Sequence, residues 1–388
     1  MDNTIYLDNS LTTRPSKEAV SEMIPFLSEK WGTSLAPHQW GYQNLSAMEE
    51  GYRSLYKLLG ASEEDVMFMT SSGTEAVNHV VHSVYRDVTV ESGKNHFLTS
   101  AIDEAPQIMA MSHLEKFGCV CRMIEVNSEG IVTAEAVGDA VTPRTALLSL
   151  SWGNGLTGVL HPVEEIARVC RERGILFHLD VSHVLGKLYF ELDQIGADII
   201  TFEGSLLHAP QGTGALWVRD GVMLSPFIYG AQEQGGHRAG PLNLAGLVAL
   251  GKAADQLLDS RDLLCMEGAR LRNMLEEGIK QGYQGAKPLF TDQQRLPHVT
   301  TIAFPGIVNE ALLFALSEKG LFASIGGGTQ QQLSLVLDSC GVEPLLAHSS
   351  ISFSLSRETT DHEIERAIEI IVSVANQLRK TSSQMVTL

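Results

Sequence analysis

An α/β fold is what this sequence predicts: a large, mostly parallel sheet between two helical layers, joined to a smaller α+β domain. Three observations predict it. Across residues 65–219, short apolar or β-branched runs alternate with longer stretches of helical period, the rhythm of βαβ units. Within that span, residues 162–173 carry Val163, Ile166, Ala167 and Cys170 on one helical face and stop at Gly174, a residue suited to the left-handed position past a helix end. After about residue 260 the texture changes to helix, strand, strand and helix.

The predicted strands follow in order. Runs at 66–70, 96–100, 146–151, 176–179 and 198–202 read as buried strands of the large sheet, and 299–304 and 350–355 as strands of the smaller part. In the last helix Ile364, Ile368, Ile371, Ala375 and Leu378 recur at steps of four and three, so one face packs inward. No internal repeat, low-complexity tract or Pro-rich linker interrupts the chain, so the two parts are expected to pack closely.

Bulk composition narrows the partners. A chain of 388 residues, 44% apolar, exceeds what one hydrophobic core usually organises. Lys and Arg total 28 against 46 Asp and Glu, a net charge of −18 that repels phosphate backbones and anionic lipid. Nucleic acid and membrane are therefore not expected partners. Apolar runs stop well short of about 18 residues, the opening residues lack the pattern of a secretory signal, and five cysteines do not make a disulfide framework. A reducing cytoplasm is the expected address.

Ligands of open α/β sheets collect beyond the carboxyl ends of the strands. Three such ends carry informative residues. Met69-Thr70-Ser71-Ser72-Gly73-Thr74-Glu75 runs from a strand through small residues into a helix, presenting free N–H groups to an anion such as phosphate. Ser151-Trp152-Gly153-Asn154-Gly155 would offer the Asn154 amide at the sheet edge, and Phe177-His178-Leu179-Asp180 ends an apolar strand in an acid. Each also has a plainer reading: a helix cap at Ser72, a turn residue at Asn154, an N-cap at Asp180.

The order of these motifs resembles the cysteine desulfurases (NifS-like), class V aminotransferases of pyridoxal phosphate (PLP) dependent fold type I. The likeness runs nearly end to end, from Ile5-Tyr6-Leu7-Asp8-Asn9-Ser10-Leu11-Thr12-Thr13 through Ser72-Gly73-Thr74-Glu75, Asn154 with Gly158 and Pro162, and Phe177-His178-Leu179-Asp180. Gly212-Thr213-Gly214-Ala215-Leu216, Arg238-Ala239-Gly240 and Ser349-Ser350-Ile351 continue it. The resemblance implies a large domain over 15–255, a small one over 1–14 and 256–388, and a homodimer in which a segment matching 238–243 reaches across. It also implies a cofactor site in which Asp180 meets the pyridine nitrogen, Gly73 and Thr74 meet the phosphate, and Asn154 lies near the ring. His183 stands where the family usually has glutamine facing the ring oxygen.

Other positions depart from that pattern. The family's Ser-x-His-Lys places its serine at Glu203, its histidine at Ser205 and its Schiff-base lysine at Leu206, and hydrocarbon cannot form an aldimine. The ring-stacking histidine falls near Glu104 or Ala105, and the partner-supplied threonine becomes Pro241, which has neither hydroxyl nor N–H. The carboxylate-clamping arginine corresponds to Ser352, and the sulfur-accepting cysteine to Thr329 in the loop Ser324-Ile325-Gly326-Gly327-Gly328-Thr329.

Five residues are candidates to take over the missing roles. Lys187 is the nearest lysine, although the family has an ordinary Gly-Lys there facing elsewhere; His208 lies two residues past Leu206 and could act as a base. Cys340 reads as a small buried hydrophobe, and Cys119 with Cys121 as a weak metal pattern. The expectation is thus a desulfurase-like chain with a decayed or reassigned site and a binding, scaffolding or regulatory role, set against two alternatives. One is an enzyme holding PLP or pyridoxamine phosphate (PMP) non-covalently, with His183 or His208 moving protons. The other is a chain that pairs with an active paralogue or a sulfur-transfer partner.

Overall fold

Twelve strands organise the computed structural model, which describes residues 4–386. In chain order they are β1 (Ile5–Tyr6), β2 (Val66–Thr70), β3 (His96–Ser100), β4 (Val120–Ile124), β5 (Thr145–Ser151) and β6 (Leu176–Asp180). Then come β7 (Ile199–Glu203), β8 (Gly214–Val218), β9 (Lys287–Pro288), β10 (Val299–Ala303), β11 (Leu321–Phe322) and β12 (Ser350–Ser354).

Seven of these form one sheet in the order β2-β8-β7-β6-β5-β3-β4. Side-chain alternation along its strands feeds two separate cores. Leu98, Leu148, Leu179 and Ile200 pack on one face with Ile166 and Leu250, whereas Phe97, Leu147, Ile199 and Leu216 pack on the other with Val80 and Met111. Helices therefore cover both faces, and β5 is buried along its whole length. The helix Val163–Arg173 between β5 and β6 ends at Gly174, whose φ of 61° is the left-handed stop its sequence promised.

The sequence marks neither the two-residue strands β1, β9 and β11 nor, in the large sheet, β8. β8 pairs antiparallel with both β2 and β7, because residues 204–213 are too few for the crossover a parallel return requires. This reversal brings the end of β7 beside the end of β2.

A third core lies around β10, with β12 and β9 antiparallel on its two sides. Ile5 and Leu7 pack into it with Ile302, Phe353 and the inward face of the helix Asp361–Val386, where Ile364, Ile371 and Ala375 are buried. β1 pairs with β11, tying the start of the chain to this later part. The helix Leu244–Gly282 runs unbroken for 39 residues across position 255, with Leu250 and Leu257 in the first core of the large sheet and Leu271 and Leu275 in the core around β10. A division at 255 thus falls inside one element. Among the described residues no helix is long and apolar enough to cross a membrane.

Candidate functional site

A cleft of about 480 Å³ opens above the carboxyl ends of β2, β6 and β7. Its walls include Gly73, Thr74, Glu104, Gln107, Asp180, Ser182, Glu203, Ser205, Leu206 and Thr329.

Gly214 explains how the β2 and β7 ends come together. It pairs with Thr70 on one side and Glu203 on the other, and a Cβ there would meet the Ser72 carbonyl carbon at 2.5 Å. Only glycine lets the Ser72-Gly73 turn settle so low. Ser72 caps the helix Gly73–Val84 by accepting from Glu75 N at 3.1 Å, and Glu75 in turn accepts from Ser71 N at 2.8 Å. Arg238 grips the same Glu75 with Nε at 2.8 Å and Nη2 at 3.2 Å.

The free N–H groups at that helix start are not all open. Glu203 Oε2 accepts from Gly73 N at 2.7 Å, and Oε1 accepts from Ser205 N at 3.3 Å. Ser182 Oγ accepts from Glu203 N at 2.9 Å, which holds the strand end in place. A carboxylate of this chain therefore occupies the N-terminal end of the helix, where the macrodipole favours an anion.

Asp180 is held from two sides. Its Oδ2 accepts from Thr201 Oγ1 at 2.6 Å and its Oδ1 from Ser182 N at 3.0 Å. With the single Thr201 hydroxyl proton directed at Asp180, Thr201 Oγ1 accepts from His178 Nε2 at 2.9 Å. His178 Nδ1 is then left to accept from Ser149 Oγ at 2.7 Å. Burial raises the Asp180 carboxyl pKa, the Thr201 hydrogen bond opposes this, and the nearby Glu104 charge raises it further.

Glu104, just ahead of the helix Ala105–Leu114, lies at the cleft wall with Oε1 2.7 Å from His183 Nε2. His183 is buried behind it, and its Nδ1 has no hydrogen-bond partner. Leu206 lines the cleft, while Ser205 O accepts from the backbone N of Thr13 at 2.8 Å. Thr329 lines the cleft as well, and its carbonyl accepts from Ala105 N at 2.8 Å.

Other residues singled out in the sequence lie elsewhere. Asn154 does not line the cleft; its Oδ1 accepts from Leu156 N and Thr157 N, and its Nδ2 donates to Ile102 O, so the amide is spent holding a turn. Ser352 donates to Leu156 O at 2.7 Å from the middle of β12. Pro241 is exposed and outside the cleft lining. His208, at φ 61°, places Nδ1 2.9 Å from Arg14 O, and burial lowers its pKa to about 4.

Lys187 is buried with Nζ donating to Ser182 O at 3.3 Å, and burial pushes its pKa down to about 7. It lines a separate cavity of about 20 Å³ with His208 and His298, away from Leu206. Cys340 is buried among Leu333, Leu337 and Ala347, and its thiol pKa is pushed up to about 12 by burial. No group of residues suited to a metal ion, at Cys119 and Cys121 or elsewhere, occurs among the described residues.

A seven-stranded sheet of this order, with a cleft over its carboxyl ends and an acid closing β6, defines the class: fold type I of the PLP-dependent enzymes. The model of the aminotransferase class-V family matches residues 5–367, and the chain belongs to that family, in its cysteine desulfurase (NifS-like) branch. It is 35% identical to a cysteine desulfurase of Gluconacetobacter diazotrophicus over 98% of this chain and 95% of that one. With the cysteine desulfurase NifS of Azotobacter vinelandii it shares 32% identity over 97% of this chain and 94% of that one. Among solved structures it resembles a NifS-like protein at 28% identity and a TM-score of 0.90, covering 97% of this chain and all of that one.

Two parts of the site escaped the sequence reading. The Ser149-His178-Thr201 relay behind Asp180 was signalled by polar residues inside otherwise apolar strands. Gln107, buried at the cleft wall, gave no sequence signal that separates it from an ordinary helix residue.

Proposed function

We propose that this chain is a desulfurase-branch protein without desulfurase or transaminase chemistry, acting as a binding or scaffolding protein. The observation that carries this reading is the Glu203 carboxylate on Gly73 N, in the place where the resemblance puts the cofactor phosphate. The family is PLP-dependent, and the residues here do not fit that group. A carboxylate about 4 Å from a single phosphate charge costs on the order of 4 kcal/mol at an effective dielectric near 20. That corresponds to roughly a thousandfold in affinity.

The remaining positions point the same way. Leu206 offers no amine, Glu104 offers no aromatic face, and the Asn154 amide is committed to its turn. Thr329 cannot carry a persulfide, and the Ser352 hydroxyl is engaged by Leu156 O.

The competing reading, PLP or PMP held without a covalent link, draws on Asp180, which is still braced by Thr201 and Ser182. Neither histidine suggested as its proton carrier lines the cleft. Calorimetry separates the two readings. The proposal expects no heat with PLP or PMP at millimolar concentration and no sulfide released from cysteine; saturable PLP binding that falls in Asp180→Ala would replace it with the competing reading.

The assembly we propose is a cytoplasmic homodimer, with an active paralogue or a sulfur-transfer protein as a further partner. The net charge of −18 favours a partner with a basic surface. Copurification from the native cell tests the further partner, and recovery of a homodimer alone counts against it.

A further inference from the structure

The cleft is lined by three acids and by no cationic side chain. Asp180, Glu104 and Glu203 all line it, and no lysine, arginine or histidine is among its lining residues. Of the three, only Glu104 has an ion-pair partner, the imidazole of His183.

A second observation is independent of the charges. Gln107 lines the same cleft at 2% exposure; its Nε2 donates to Ser151 Oγ at 3.0 Å, and its Oε1 has no hydrogen-bond partner. A buried acceptor without a donor is costly, and a ligand N–H removes that cost. Leu11, Val77 and Leu206 bring hydrocarbon to the wall, beside the hydroxyl residues Thr12, Thr74 and Thr329. Acceptors beside aliphatic side chains suit an alkylammonium group. A bare metal ion suits them less, because no metal-holding group of His, Cys, Asp or Glu occurs among the described residues.

We propose that the cleft binds a small aliphatic amine cation, its ammonium held by Asp180, Glu104 and Gln107 and its methylenes against Leu206. This deepens the proposed function and rests on it, since the same cleft cannot also hold PLP.

The test is calorimetry of the full-length chain at low salt with 1,4-diaminobutane, and with 1,4-butanediol as the uncharged isostere. The diamine should bind and the diol should not. Glu104→Gln should weaken the diamine at least tenfold, and Leu206→Lys, which places an ammonium in the cleft, should abolish binding, with thermal unfolding confirming that both variants are folded. Absence of diamine binding at millimolar concentration, equal binding of the diol, or indifference to both variants overturns the proposal. A parallel titration with PLP keeps the two readings apart. Silence of both ligands removes the amine site alone, whereas PLP binding removes the proposed function beneath it.

Discussion

Glu203 Oε2 lies 2.7 Å from the backbone nitrogen of Gly73, across 130 residues of chain. The two meet because β8 folds back between β7 and β2, with Gly214 paired to both strand ends. The carboxylate does locally what an anionic ligand does at other helix starts: it accepts from an orphan N–H and complements the dipole.

That contact should stabilise the fold. Glu203→Ala removes a charge-assisted acceptor from a buried glycine N–H and should cost about 1–3 kcal/mol. Urea unfolding measures it. An unchanged midpoint would mean that the contact contributes nothing.

The same residue should block phosphate. Glu203→Ser combined with Leu206→Lys opens the helix start and supplies an amine, so this double variant should take up PLP and show an aldimine absorption band. Leu206→Lys alone should bind far more weakly, because the like-charge cost of roughly 4 kcal/mol remains. Equal uptake by the two variants would show that Glu203 is no obstacle.

Acid should destabilise the protein well above the usual carboxylate range. Burial lowers His79, His161 and His208 to about 4 and His178 to about 3. Their folded pKa values lie below the unfolded value near 6.5. The unfolded chain therefore binds protons between about pH 6.5 and 4 that the folded chain refuses, and stability falls with pH across that window. Asp8 and Asp103, raised to about 6 by burial, act in the opposite sense, as do Asp180 and Asp198, raised by burial as well. They are four groups against eight once His82, His96, His237 and His298, likewise lowered by burial, are counted. The urea midpoint should drop from pH 6.5 to 4.5, and a flat profile would contradict this.

Self-association is the next expectation. Trp31 and Trp40 form an edge contact on the surface at 66% and 45% exposure, with Leu35 and Tyr42 exposed in the same stretch. Apolar surface of this kind favours burial against another chain. Sedimentation at micromolar concentration should give a dimer, and a monomer would remove the proposal.

Much of this was legible from the residues alone, and what was missed shares a cause. The parallel strands showed themselves because burial on both faces makes continuous apolar runs, as in Leu147 and Leu148. β8 hid because its glycine-rich entry read as a motif rather than a strand. At the site, Leu206, Thr329, Asp180 and Glu104 reached one cleft as the order of motifs implied. Asn154 took the plainer of its two readings and became a turn residue. The resemblance puts Glu203 and Gly73 at the same phosphate position, but their direct hydrogen bond depends on the antiparallel return between them, which the sequence does not mark.

The most direct test of the account is peptide mapping after incubation with PLP and borohydride. Leu206 leaves no amine in the cleft, and Lys187 donates to Ser182 O from a separate cavity. We predict no stoichiometric pyridoxyl adduct at any single lysine, only scattered surface labelling. One adduct per chain on Lys187 would contradict the account and return the protein to ordinary PLP chemistry.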